Sequence, residues 1–239
     1  MGLLRMGPPV ELIINLQEKF QIDNFVETGT YYGKTAIWAS NYFKNVLTIE
    51  YSKKMYEKLI DNYKDIGNVE FIFGDSRTEM FRIVKRLKGK SIFWLDAHWS
   101  GGLTYGNNDQ CALLEEINII NLYSNNEHFI FIDDARLFTS PPQPPHTVEQ
   151  WPDITAVINA LQSGIKKRYV VIIEDVIIAV PIFSKQTVVD YCQSVNCKTW
   201  EEYGRNLKTS KIEKGIKLIY QDVRARLGLA KKYIFDNFH

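Results

Sequence analysis

Three carboxylates come directly after two apolar runs of the sequence and could together hold a metal ion. They are Asp96, Asp133 and Asp134. Neighbouring carboxylates repel one another and raise each other's pKa, and a bound divalent cation removes that repulsion. An all-oxygen ligand set selects a hard cation such as Mg²⁺, Ca²⁺ or Mn²⁺. The alternative pairs Asp134 with Arg136 or with a backbone cap and uses no metal.

The stretch Phe25–Thr35 has the composition of a strand, a tight turn and a helix N-terminus. Its apolar start ends at Glu27, and Gly29 and Gly33 let the backbone bend sharply and approach a ligand closely. The N–H groups of a first helical turn would face the same space. The spacing between the glycines, with Tyr31 between them, argues against a dinucleotide, because the pyrophosphate needs a glycine-lined path.

Five apolar runs alternate with helical patterns up to Ile132, which predicts five parallel strands with right-handed crossovers. Each predicted strand ends at an acidic residue, and ligands of such sheets bind outside the carboxyl ends of the strands. These residues are Glu27, Glu50, Asp75, Asp96 and Asp133. Any one of them would also suit a helix N-cap or a solvated turn. The five together favour a site at this edge of the sheet.

After the fifth strand the pattern changes. Tyr169–Ile173 and Val176–Pro181 are apolar runs separated by two residues, which predicts an antiparallel hairpin. Helical patterns precede and follow the strands. We therefore predict a single domain over residues 1–239, with a leading helix at 10–20, a core at 24–182 and a C-terminal helical extension at 184–239.

The motifs together resemble the class I S-adenosylmethionine-dependent methyltransferases, over about Phe25 to Pro181. The residues that carry the resemblance are Glu27-x-Gly29-x-x-x-Gly33, Glu50, Gly74-Asp75-Ser76 and Asp96. The resemblance implies a Rossmann-like α/β fold with a seven-stranded sheet, five strands parallel and two in the hairpin, and helices on both faces. It implies that Glu27 and the glycine turn hold the amino-acid end of the cofactor, Glu50 the ribose, and Asp75-Ser76 the adenine. The implied cofactor-binding residues are Glu27, Thr28, Gly29, Tyr31, Gly33, Glu50, Asp75, Ser76 and Asp96.

The acidic residues after the fourth and fifth strands resemble those of the metal-dependent, macrocin-type sugar O-methyltransferases. That resemblance implies that Asp96, Asp133 and Asp134 bind Mg²⁺, which in turn binds two neighbouring hydroxyls of a sugar. It places His98, two residues after Asp96, at the position of the catalytic base, a role that suits histidine near neutral pH.

The expected function is S-adenosylmethionine-dependent O-methylation of a small hydroxylated molecule, such as a sugar or glycan end, assisted by a divalent metal. Asp96 and His98 are the predicted catalytic residues. The alternatives are a metal-independent methyltransferase with another acceptor, and a non-catalytic nucleoside-binding module of the same fold. The glycine-containing loop Trp99–Asn108 could close over the substrate.

Composition limits the remaining partners. The 239 residues include 29 basic and 28 acidic ones, giving a net charge of +1, so no overall field favours nucleic acid or an anionic membrane. Three cysteines argue against a disulfide framework. We find no signal-peptide core and no apolar run of spanning length, and we expect a cytoplasmic protein. The amphipathic tail, Lys211–Phe238, predicts either packing on the rest of the chain or contact with a second copy in a homodimer.

Overall fold

The computed structural model describes residues 6–99, 109–123, 127–208, 219–220 and 222–223. Seven strands form one sheet. They are β1 Asn24–Thr28, β2 Asn45–Glu50, β3 Val69–Phe73, β4 Ser91–Leu95, β5 Phe129–Ile132, β6 Arg168–Ile173 and β7 Val176–Pro181. Their order across the sheet is β3-β2-β1-β4-β5-β7-β6.

The first five strands are parallel, and β7 runs antiparallel to both β5 and β6. The predicted five parallel strands and antiparallel hairpin are therefore confirmed. Thr28 is aligned with Ile49 and Leu95 on the neighbouring strands, and Leu95 is aligned with Ile132. The residues that follow these strand ends consequently emerge side by side at one edge of the sheet.

Helices cover both faces of the sheet. They are α1 Val10–Phe20, α2 Lys34–Ala39, α3 Lys53–Tyr63, α4 Ser76–Arg86, α5 Leu113–Tyr123, α6 Arg136–Thr139, α7 Ile154–Gln162 and α8 Lys185–Lys208. One core cluster packs α4, α5 and α7 on one face, and a second packs α1, α2 and the start of α8 on the other. Successive strand residues alternate between them, as Phe25 and Val26 do, which explains why the strands read as continuous apolar runs.

The second helix is shorter than the sequence predicts. The pattern that follows the glycine turn predicts a helix from about Gly33 to Phe43, whereas α2 ends at Ala39. Ser40 and Asn41 direct their side chains back to the carbonyl of Ile37, at 2.8 Å and 3.1 Å. Side chains of this kind compete for the last-turn carbonyls and end the helix early.

The chain divides into two compact units, Met1–Cys192 and Gln193–His239. The first contains the whole sheet, while the described part of the second is helical. Most of the tail pattern Lys211–Phe238 lies outside the described residues, so the predicted packing or dimer contact there stays a prediction. Among the residues that the structure describes, no helix combines the length and the apolar character that crossing a membrane requires.

Candidate functional site

The glycine turn after β1 touches the backbone at the end of β4. Gly29 has a φ of 82°, and a Cβ at this position would lie 2.5 Å from the carbonyl oxygen of Asp96. Gly33 has a φ of 77°, and its Cβ would lie 2.8 Å from the side chain of Leu59. Both glycines are therefore required by backbone conformation and by close approach. The turn and Asp96 form adjacent parts of one edge.

Glu50 at the end of β2 braces this turn. Its carboxylate accepts hydrogen bonds from the backbone N–H of Tyr31, at 2.8 Å, and from that of Ser52, at 2.7 Å. Tyr31 has a φ of 49° and a mostly exposed side chain. The backbone of Tyr51 is a further hydrogen-bond partner of this carboxylate, and the contact of Glu50 with a ribose stays a prediction.

Glu27 is a buried carboxyl beside the turn, only 2% exposed. The hydroxyl of Thr48 donates to it at 2.6 Å and lies 2.6 Å from the hydroxyl of Thr30. Burial raises the pKa of Glu27 to about 8, against the opposing effect of the hydrogen bond from Thr48. The group is therefore neutral near pH 7, and a bound ammonium would favour its ionised form.

Asp75 caps α4, the ordinary structural role of an acid at this place. It accepts from the backbone N–H of Arg77 at 2.9 Å and pairs with its guanidinium at 2.8 Å. The same guanidinium reaches Asp109 at 2.6 Å. Ser76 is buried directly after the cap. The contact of Asp75 and Ser76 with an adenine stays a prediction.

His98 lies between two of the predicted carboxylates. Its Nε2 is 2.9 Å from an oxygen of Asp134, and its Nδ1 is 3.6 Å from an oxygen of Asp96. The second oxygen of Asp134 accepts from the guanidinium of Arg136 at 2.7 Å. The predicted neutralisation of Asp134 by Arg136 is thus present in the structure, and an imidazole separates Asp134 from Asp96.

The ionisation of these acids follows from their surroundings. Burial opposes ionisation of Asp134, yet His98 and Arg136 together hold its pKa below the usual value. Burial, reinforced by Asp133 and Asp134, raises the pKa of Asp96 well above its usual value. Burial and Asp134 raise the pKa of Asp133 to about 6. Asp134 is accordingly a carboxylate at neutral pH, so the Nε2 of His98 must carry the hydrogen.

The predicted metal ligands do not all converge. Ligand atoms of Asp96, His98 and Asp134 lie within 4.8 Å of one another, and no cluster in the described part of the chain brings Asp133 into this group. The carboxylate of Asp133 instead accepts from the backbone N–H of Asp134 at 2.8 Å.

Aromatic side chains of Trp99 and of the proline-rich segment 139–152 lie beside His98. The ring of Trp151 is 5.5 Å from that of His98 and 5.0 Å from that of His146. Trp99 lies 5.4 Å from His146. The buried side chain of Gln110 accepts from the indole N–H of Trp151 at 2.9 Å and so fixes this wall. Residues 100–108 of the predicted lid lie outside the described residues.

Sequence reasoning missed a second buried acid on the same edge. Glu116 is 1% exposed, and the hydroxyl of Thr28 donates to one of its oxygens at 3.4 Å. Its other oxygen has no hydrogen-bond partner within the described residues. Burial raises the pKa of Glu116 to about 8. Its place among the apolar positions Leu113, Ile117 and Ile120 of one helical face was the signal that could have revealed it.

No protein-family model matches the chain, and no curated protein matches it in sequence. Solved structures do match. One is a Klebsiella pneumoniae protein named as an O-methyltransferase, at 13% identity and a TM-score of 0.52, covering 74% of this chain and 81% of that one. Another is a Staphylococcus aureus protein named as a caffeoyl-CoA O-methyltransferase, at 13% identity and a TM-score of 0.54, covering 74% and 86%. The chain has the Rossmann-like methyltransferase fold. Identities this low establish the fold alone, so the roles of individual residues rest on the geometry above.

Proposed function

We propose that the protein is an S-adenosylmethionine-dependent methyltransferase that transfers a methyl group to a hydroxyl of a small molecule. The observation that carries this proposal is the position of His98. A histidine paired with a carboxylate stands at the end of β4, whose backbone touches the glycine turn after β1. A proton acceptor and a cofactor turn on adjoining strands are what methyl transfer to a hydroxyl needs.

The cofactor side of the proposal rests on Glu27 and the turn. Burial raises the pKa of Glu27, and the ammonium of the methionyl group would favour its ionised form, while Gly29 brings the turn against the carbonyl of Asp96. Glu50 and Asp75 are held by backbone contacts within reach of the same edge. They would meet the ribose and the adenine.

The chemical step requires a base on the acceptor side. In the neutral imidazole with Nε2 as donor to Asp134, the lone pair lies on Nδ1, on the side of Asp96. Nδ1 would take the proton of the substrate hydroxyl while the oxygen bonds to the methyl carbon. Bound beside it, S-adenosylmethionine would supply the methyl group, and its sulfur would keep the electron pair of the carbon–sulfur bond in the product S-adenosylhomocysteine. Trp99 and His146 beside this position suit the C–H face of a sugar ring, which is the acceptor class we favour.

In a second form of the same proposal, the enzyme also uses a divalent cation. The donor atoms of Asp96, His98 and Asp134 are close enough together to bind one. This donor set contains an imidazole, whereas the set predicted for Mg²⁺ contained oxygen atoms alone. The imidazole makes Mn²⁺ the better candidate than Mg²⁺. Bound there, the cation would supply Lewis-acid polarisation of a hydroxyl, and His98 would be a ligand instead of the base. Both oxygens of Asp134 already have partners, which favours the metal-independent form.

Two measurements test the proposal. Isothermal titration should show S-adenosylmethionine binding, and absence of binding at millimolar cofactor would refute it. Transfer of labelled methyl groups to a panel of sugars and phenols should fall by roughly 100-fold or more in His98→Gln, with cofactor affinity kept.

A pair of variants tests the site that both forms share, and a chelator separates the two forms. Asp134→Asn should lose activity, whereas Asp190→Asn, which removes an exposed acid from α8, should retain it. Activity that survives EDTA supports the metal-independent form. Activity lost with EDTA and restored by Mn²⁺ supports the other. Binding without transfer to any acceptor would favour a nucleoside-binding module.

A further inference from the structure

Three non-glycine residues with left-handed backbone meet at the end of β5. Asp134 has a φ of 54°, and Glu174 and Asp175, which form the β6–β7 turn, have φ values of 52° and 76°. The turn touches the end of β5 through a hydrogen bond of 2.8 Å from Ala135 N–H to the carbonyl of Asp175. Such conformations are uncommon outside glycine and persist where the surroundings require them.

The side chain of Asp175 explains why this turn does not use glycine. It is 2% exposed and accepts from the backbone N–H of Arg136 at 2.8 Å. Its other oxygen pairs with the Arg136 guanidinium through Nη1. A glycine at position 175 would satisfy the backbone and lose both contacts. The structure therefore retains a strained residue at the point where its carboxylate meets an arginine.

Arg136 passes this contact on to the candidate site. The Nη1 that pairs with Asp175 also donates to Asp134 at 2.7 Å. The second oxygen of Asp134 accepts from Nε2 of His98 at 2.9 Å. An unbroken series of ion pairs and hydrogen bonds therefore joins the β6–β7 turn to the imidazole, through the buried Asp175, the partly exposed Arg136 and the mostly buried Asp134.

We propose that Asp175 is a positioning residue, which holds Arg136 so that the Asp134 carboxylate fixes the tautomer and the orientation of His98. Its importance for catalysis rests on the proposed function, whereas its effect on the imidazole does not. Without the Asp175 carboxylate, the guanidinium of Arg136 loses one of its two acidic partners and can move. The Asp134 carboxylate can then rotate away from Nε2 of His98. The hydrogen of His98 would then divide between its two nitrogens.

The β6–β7 turn itself supplies a matched pair of variants. Asp175→Gly removes the contacts with Arg136 and at the same time relaxes the positive φ. Glu174→Gly relaxes the positive φ of the neighbouring residue and removes its hydrogen bond from the Tyr191 hydroxyl, and it leaves the Arg136 contacts in place. A role in backbone stability alone would leave the tautomer ratio of His98 the same in both variants.

The readout is the side-chain nitrogen spectrum of the histidines in the full chain. Nitrogen-15 correlation spectra at a pH near 8.5, where free imidazole is neutral, distinguish the two tautomers. His98→Gln identifies the signal of His98 among the four histidines. We expect the wild type and Glu174→Gly to favour Nε2–H by roughly tenfold or more, as for a charge-assisted hydrogen bond, and Asp175→Gly to show both tautomers. A wild-type tautomer ratio in Asp175→Gly would overturn the proposal.

A second variant and a binding measurement complete the test of Asp175. If Asp175→Gly does not fold, Arg136→Lys is used, which retains the charge and loses the planar fork. It should also mix the tautomers, and an unchanged ratio would again overturn the inference. Titration with S-adenosylmethionine is done on each variant. Failure of the wild type to bind it would refute the proposed function and leave the tautomer result to decide the role of Asp175.

Discussion

Replacing Glu116 by Gln should stabilise the protein increasingly as the pH rises. The folded chain keeps this acid buried, with a pKa raised to about 8 from an ordinary value of 4.5. In the unfolded chain the same acid ionises above about 4.5. Between these two values the folded state binds one proton more than the unfolded state, so rising pH favours unfolding. Gln is nearly isosteric with the protonated acid and carries no such penalty.

The size of the effect follows from the shift of the pKa. Each pH unit between the two pKa values corresponds to about 1.4 kcal/mol. Between pH 5 and pH 7 the wild type should therefore lose about 3 kcal/mol of stability through Glu116 that Glu116→Gln does not lose. The hydroxyl of Thr28 can still donate to the amide oxygen, so the variant keeps the hydrogen bond seen at 3.4 Å.

Urea unfolding at several pH values from 5 to 7, at constant ionic strength, measures this difference. Glu115→Gln removes a carboxylate from the adjacent, exposed position of α5 and reports the effect of net charge alone. If the difference between Glu116→Gln and wild type stays within about 0.5 kcal/mol over this range, Glu116 does not have a raised pKa. The buried-acid description of the site would then be wrong.

Three other outcomes are expected. Gly29→Ala should destabilise the fold by roughly several kcal/mol in thermal or urea unfolding, because its Cβ would meet the carbonyl of Asp96. Gly89 has a similar φ of 80° and open space around it, so Gly89→Ala should cost about 1 kcal/mol. S-adenosylmethionine should bind more tightly as the pH rises from about 6 to 7, because its ammonium favours the ionised form of Glu27. Calorimetry on Glu27→Gln should show roughly tenfold weaker binding that does not change with pH. Ellman's reagent should label Cys197 first, because it is the exposed thiol, and equal rates for all three thiols would contradict the fold.

The sheet could be predicted because its strands carry a strong and simple signal. Parallel strands buried on both faces are continuous apolar runs, and the two-residue gap between Ile173 and Val176 permits only a hairpin. The end of α2 was not predicted, because competition of Ser40 and Asn41 for carbonyls depends on local hydrogen bonds that periodicity does not register.

The sequence predicted where the candidate site residues lie along the sheet edge, and it predicted only some of their contacts. The strand ends placed Asp96, His98 and Asp134 on one edge, because parallel strands share a carboxyl edge. The direction of each side chain was beyond reach: Asp133 turns to a backbone N–H, and His98 lies between two acids. The role of Asp175 required the three-dimensional contact between the turn and Arg136.

The approach of Gly29 to the carbonyl of Asp96 has a consequence for communication within the molecule. A ligand that shifts the turn by a fraction of an ångström presses directly on the residue beside His98, with no intervening side chain. The position of the turn and the position of Asp96 beside His98 therefore depend on each other through a backbone contact. A small backbone shift at position 29 would therefore change the surroundings of the imidazole through Asp96 alone.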